Sequence, residues 1–357
     1  MLNRETEAPR NPFDERAGGP RDKVLDGLRA VAVLAVVAGH GVLFRFGTIL
    51  DAAPELRSTA GSIAITGVRV FFLISGYVIT RLLLMEYRER GTVSLAKFYT
   101  RRITRIIPPF AVYLGTVLLL SQAGYIHLPP GEIAAAGAFV CNTNLHPCTW
   151  FVGHSWSLAV EEQFYLFWPL LLTIVTPKRV PALLSAIALA LLAVALYRSG
   201  GSFNNEISFL FIVIGAFMAS HVGLQRLFVA WVSAPVWLAA ALAFATGSLF
   251  APDMAMIVLG PLLLTIFVFG AANFALLAAL LKSRPFQIVG ACSYSLYLWQ
   301  QLFLGAPASY FGPPPPLWGL PIAVWLSWRF IEKPGIALGR AWTRPAPAPA
   351  PAETHFT

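Results

Sequence analysis

Residues 25–43 read LDGLRAVAVLAVVAGHGVL, an apolar helix with Asp26 and Arg29 at its entrance and one histidine, His40, toward its far end. Asp26 and Arg29 are three apart and share a helix face. His40 follows Arg29 by eleven residues. That spacing is about three turns plus roughly 20°, with about 16 Å of rise, so the two fall on one stripe. Ionisable groups aligned on one face of a membrane helix are costly, and they mark a buried network or a function. The other apolar segments are expected to form a cage around that stripe.

Composition sets the class. Of 357 residues, 57% are hydrophobic and 12% are charged, with a mean hydropathy of +0.67. Soluble domains carry about 45–50% apolar residues, so this is a polytopic membrane protein. The net charge of +9 does not signal nucleic acid, because the basic residues fall in short runs between apolar segments instead of forming one aromatic-interleaved patch.

The predicted fold is all-α, a bundle of about ten membrane spans near 27–46, 62–84, 105–124, 157–176, 181–197, 206–221, 229–249, 254–280, 287–306 and 316–331. The short run 132–141 is expected to be an interfacial helix. One set of connections carries Arg88, Arg90, Lys97, Arg101, Arg102, Lys178, Arg179, Arg226, Lys282, Arg284 and Lys333, and the other little beyond Arg45, Arg57 and Arg198. Both termini are therefore expected in the cytoplasm.

Residues 1–22 are polar and expected to be disordered, with no cleavable signal, so the first helix serves as its own insertion signal. Residues 23–340 form the transmembrane domain, and 341–357, ending in PAPAPAPAETHFT, read as a disordered cytoplasmic tail. The loop from about 125 to 156 then lies outside, where Cys141 and Cys148 are either a disulfide or two thiols. Three cysteines are too few for a disulfide scaffold or an ordinary zinc site, and no metal is expected.

Four stretches carry polar groups to membrane depth. On the first helix, His40 suits a base working near neutrality, or a hydrogen bond to a neighbouring helix. In KFYTRRITRIIPPF (97–110), Arg102 and Arg105 share a face and match phosphate oxygens, whether of a cytosolic donor or of lipid headgroups. In HSWSLAVEEQFYLFWP (154–169), Ser157, Glu161 and Glu162 enter an apolar run, and the adjacent carboxylates point about 100° apart. A carboxylate at the depth of His40 would orient the imidazole and hold its charge. In TGVRVFFLISGYVITRLLL (66–84), Arg69 is expected to pair with Glu161 or Glu162, or to stabilise an oxyanion.

Together these stretches resemble the acyltransferase-3 family of integral membrane O-acyltransferases. The matching segments are LDGLRAVAVLAVVAGH, GVRVFFLISGYVITRLL, FYTRRITRIIPP, WSLAVEEQFYLFWP, SYSLYLWQ (293–300) and LSWRFIEKP (326–334), spread over about 20–340. The resemblance implies essential roles for Arg29 and His40 and for the R-x-x-R pair Arg102 and Arg105, with the family carboxylate at Glu161 or Glu162. Many members read YLWH where this chain has Gln300. Others carry a soluble esterase domain after the membrane part, which is not expected in this chain.

The implied activity is transfer of an acyl group, most simply acetyl, from cytoplasmic acyl-CoA to a sugar hydroxyl of a surface glycan, lipopolysaccharide or exopolysaccharide precursor. His40, Glu161 and Glu162 are the expected catalytic groups. Arg29, Arg102 and Arg105 would bind the donor, with Asp26, Arg69 and Ser157 in support. Membrane lipids and a separate esterase or acyl carrier outside are the expected partners, nucleic acid is not, and the bacterial cytoplasmic membrane is the expected location. The rival expectation is a transporter or flippase, against which stands the lack of two related halves.

Overall fold

The computed structural model describes residues 22–46, 54–143, 148–198, 205–250 and 253–344. The segments expected to be disordered lie outside these, apart from residue 22 and residues 341–344. Among the described residues the protein is all-helical, and its only extended pairing is a single bridge between Ile126 and Tyr310.

The opening stretch forms α1 (Lys23–His40), started by the Asp22 side chain, which accepts from the backbone N–H groups of Val24 and Leu25. At His40 the helix widens into one π turn, Gly41–Arg45. Two long helices follow, α2 (Pro54–Arg90) and α3 (Leu95–Gln122), the latter with Pro108 and Pro109 inside it. Two short pieces, α4 (Glu132–Gly137) and α5 (Trp150–Gly153), lead into α6 (Ser155–Ile174). Then come α7 (Val180–Arg198), α8 (Asn205–Ser220), α9 (Val222–Trp231), α10 (Ala234–Phe250) and α11 (Asp253–Gly270). The chain closes through α12 (Ala275–Leu281), α13 (Arg284–Ala291), α14 (Ser293–Phe303), α15 (Gly319–Ser327), a π turn at Trp328–Glu332 and α16 (Lys333–Trp342).

Each of the ten apolar segments coincides with helix, but several are broken. Segment 287–306 divides at Cys292 into α13 and α14, and 254–280 divides at a 3-10 turn, Ala271–Asn273, into α11 and α12. Among the described residues, five helical runs are long and apolar enough to cross a membrane: Lys23–Arg45, Arg57–Arg90, Leu95–Gln122, Val180–Arg198 and Ala255–Asn273. Large apolar side chains such as Leu119, Phe167, Ile174, Leu189 and Trp325 are exposed on the outside of the bundle. Lipid tails, not water, suit such a surface.

Between helices in lipid the attraction is mainly close packing, which small residues permit. Here α2 and α8 approach backbone to backbone. A Cβ placed on Gly76 would strike the carbonyl of Ile212, and one placed on Gly215 would strike that of Leu73. Around this crossing lies an apolar cluster that includes Leu73, Ile74, Tyr77, Phe211, Ile212 and Ala216. A second cluster joins Phe110, Tyr113 and Val117 of α3 to Phe151, Leu298, Leu302 and Tyr310. Replacing Gly76 by Leu is expected to force α2 and α8 apart and lower stability by about 3 kcal/mol, read as a drop in unfolding temperature in detergent.

Candidate functional site

Three spaces lie in series. The first, about 250 Å³, opens beside Glu86, Glu89, Arg90, Lys97 and Arg101 and ends at Arg102. Arg102 also lines the second, a narrow inner cavity of about 80 Å³ that gathers Arg29, Arg105, Ser75, Ser157, Glu161, Tyr165 and Tyr294. Val68 and Tyr297 line both that cavity and the third space, an outer chamber of about 620 Å³ containing His40, Trp150, His154, Gln301 and the cysteine pair.

In the inner cavity the chemistry centres on Glu161. One carboxylate oxygen accepts from Ser75 Oγ at 2.7 Å and the other from Tyr165 Oη at 3.2 Å. Arg29 and Arg102 lie within its electrostatic range. The Arg102 guanidinium covers the Tyr165 ring at 4.9 Å and the Phe98 ring at 5.8 Å. Tyr165, one turn beyond Glu161, escaped notice in the sequence, although the i, i+4 spacing of two polar groups on an apolar helix is a readable signal. Ser157 pairs with the Tyr297 hydroxyl and donates to the His154 carbonyl. Asp26 is buried one turn before Arg29 and in its electrostatic range.

The outer chamber differs in kind, being built from imidazole, indole and amide groups. His40 Nδ1 is 3.0 Å from Gln300 Oε1, and the His40 ring meets Trp150 and Phe44 edge-on at 5.4 and 5.9 Å. Trp150 is carried inward by α5, the short turn that no periodicity announced. Behind it, Thr149 donates from its backbone N–H and its hydroxyl to the two oxygens of buried Glu132, both at 2.9 Å. Cys141 and Cys148 form a disulfide that closes this loop. His154 is buried between Tyr113 and Tyr297, and neither ring nitrogen has a hydrogen-bond partner among the described residues.

Two expected pairings do not form. Glu161 is held by Ser75 and Tyr165 in the inner cavity, so the partner of His40 is Gln300 and not a carboxylate. The reason is depth. Because α5 folds into the bundle, the chain is already at the level of His40 when it reaches His154, and Glu161 lies seven residues, or about 10 Å, farther along α6. Glu162 is not bonded to His40 either; its Oε1 is buried without a hydrogen-bond partner among the described residues, and it lies within electrostatic range of Glu161 and Arg102. Arg69 pairs with neither glutamate and lies over the Phe211 ring at 5.5 Å. Six residues separate it from Ser75 on α2, which turns the two side chains roughly 120° apart.

With this geometry in hand, comparison with known proteins is informative. The family model described as an acyltransferase domain matches residues 22–328, and the chain belongs to the acyltransferase-3 family. It is 32% identical over 171 residues to the peptidoglycan O-acetyltransferase OatA of Listeria monocytogenes, covering 42% of this chain and 24% of that protein. It is 28% identical over 369 residues to the O-acetyltransferase OatA of Staphylococcus aureus, covering 87% of this chain and 56% of that protein. The chain thus spans between about a quarter and about half of these relatives. No solved structure matches it. The apolar helices and the family together make it a multi-pass membrane protein.

Removing the Glu132 carboxylate as Ala deletes both acceptors of Thr149, a residue exposed enough for its freed donors to turn to solvent. This is expected to lower stability by about 1 kcal/mol and to raise amide exchange around residues 148–153, measured by hydrogen–deuterium exchange in detergent.

Proposed function

We propose that the chain is a cell-membrane O-acetyltransferase that moves an acetyl group from cytoplasmic acetyl-CoA to a sugar hydroxyl of a surface glycan. The acceptor is peptidoglycan, lipopolysaccharide or an exopolysaccharide precursor. Names given to the relatives support acetyl as the group transferred and a cell-wall sugar as an acceptor. Ten spans with both termini cytoplasmic agree with the one-sided distribution of basic loop residues. Under that topology the pocket with Lys97 and Arg101 faces inward, and the chamber with the disulfide faces outward.

The observation that carries the proposal is the shared lining. Arg102 belongs to both the cationic mouth and the inner cavity, and Tyr297 to both the inner cavity and the outer chamber. Lys97, Arg101 and Arg102 offer charge-assisted donors to the coenzyme phosphates, with the two guanidinium groups able to grip them bidentately. The thioester end then enters the cavity past Arg29 and Arg105. Glu161 acts here as the counter-charge that holds the guanidinium groups in place, a role unlike the one expected for it.

At the outer end His40 takes the proton of the acceptor hydroxyl. The hydroxyl oxygen attacks the acetyl carbonyl, the new C–O bond forms and the C–S bond breaks. The proton ends on the departing coenzyme A sulfur, so no other reagent is needed. Membrane lipids surround the bundle, and a separate esterase or acyl carrier outside would be required only if the acetyl group is passed on before reaching the glycan.

Cells expressing the chain and given labelled acetate should carry label on extracted glycan. His40→Ala should lower that label by at least about 100-fold while the protein still reaches the membrane. Label unchanged in the variant would overturn the role of His40, and no label in the native strain would favour transport. Arg102→Lys, which keeps charge but loses the fork, should raise the KM for acetyl-CoA about tenfold in membrane preparations.

A further inference from the structure

His40 touches Gln300, and Gln300 departs from the histidine common at this position in the family. One contact cannot say which imidazole nitrogen holds the proton. A neutral imidazole donates from one nitrogen and accepts at the other, and a carboxamide can rotate to offer either its oxygen or its NH₂. The answer lies two residues farther along the network.

Gln301 Nε2 faces the backbone carbonyl of Trp150 at 2.6 Å. A carbonyl oxygen has only lone pairs, so the atom facing it must be the amide NH₂. The other head of the Gln301 carboxamide is then its oxygen, an acceptor only. Gln300 Nε2 donates to that oxygen at 2.7 Å. The remaining head of Gln300, its Oε1, therefore faces His40 Nδ1 at 3.0 Å, and Nδ1 must be the nitrogen that carries the proton.

Every direction in this chain follows from its fixed end. Gln300 and Gln301 are 0% and 3% exposed, so no bulk water is at hand to exchange partners with them. Trp150 is pinned to the same residue a second time, its indole N–H donating to the Gln301 backbone carbonyl at 2.8 Å. His40 Nε2 has no hydrogen-bond partner among the described residues, and His40 lines the outer chamber.

We propose that Gln300 and Gln301 are positioning residues. Their side chains form an amide relay, anchored on the Trp150 carbonyl, that holds His40 as the Nδ1–H tautomer and leaves Nε2 as the basic nitrogen toward the acceptor. The tautomer follows from the network itself, while its use in proton removal rests on the functional reading above.

Full-length protein labelled with 15N-histidine, in detergent micelles, gives a direct readout, because the two ring nitrogens shift differently according to which is protonated. The His40 signals are identified by their loss in His40→Gln. Native protein should show the Nδ1–H form alone. Gln301→Met, which makes no bond to His40 but frees Gln300 to rotate, should give a mixture of tautomers. It should also lower kcat by at least about tenfold, with the KM for acetyl-CoA unchanged.

The double variant Gln300→Glu with Gln301→Met should recover both the Nδ1–H form and most of the rate, since a carboxylate accepts at either oxygen and needs no relay. A purely structural role for Gln301 would not be rescued this way. An Nε2–H form in the native protein, or an unchanged tautomer in Gln301→Met, would overturn the relay. The native spectrum decides the first point even if the variant fails to fold. The expected spectra without any acetyl transfer by native protein would support the relay and overturn the enzymatic reading.

Discussion

A carboxylate inside a membrane bundle must be met by donors and positive charge, or its burial is ruinous. Glu161 meets that condition with groups from four helices: Ser75 of α2, Tyr165 of α6, Arg29 of α1 and Arg102 of α3. Those helices cannot drift apart without stranding a charge. The constraint also reaches beyond the inner cavity, because α1 is one rigid rod over this length. Once Arg29 is placed in the inner cavity within electrostatic range of Glu161, His40 is placed about 16 Å farther along the same stripe. The charge centre in the interior thereby sets the position of the imidazole in the outer chamber.

Much of this was legible in the sequence. The helices follow from apolar runs bounded by charged or proline-rich connections, and the eleven-residue spacing of Arg29 and His40 follows from helix geometry alone. Arg102 and Arg105 meet Arg29 in one cavity as their three-residue spacing permits. What could not be read was relative depth. CTWFVG carries neither helical nor strand periodicity, so nothing showed that residues 148–153 turn into the bundle and push Glu161 below the level of His40. Arg69 failed for a related reason, since partner choice depends on which neighbour a face meets, and α2 shows that face to α8. The Gln300–Gln301 pair was visible as two amides in an apolar helix, a signal of a buried network whose direction only coordinates supply.

Under the proposed function the site separates two jobs that soluble transferases perform in one pocket. Guanidinium groups and their counter-charge occupy the inner cavity, where a charged donor would arrive. Imidazole, indole and amide groups occupy the outer chamber, where an alcohol would be deprotonated. The division is chemically consistent: cations beside His40 would oppose the imidazolium that forms during transfer, whereas an amide carbonyl accepts its proton without adding charge.

The boundary between the two spaces is marked by Val68 and Tyr297, the residues common to both linings. In a membrane under voltage the electrical drop concentrates where conducting solvent is thinnest, and under the proposed topology that is this layer. A unit charge crossing it would feel about 2.3 kcal/mol for each 100 mV. Under the proposed function an acetyl group, being uncharged, would cross free of that force, and the partition would then transmit its cargo without coupling it to the cell's energised state.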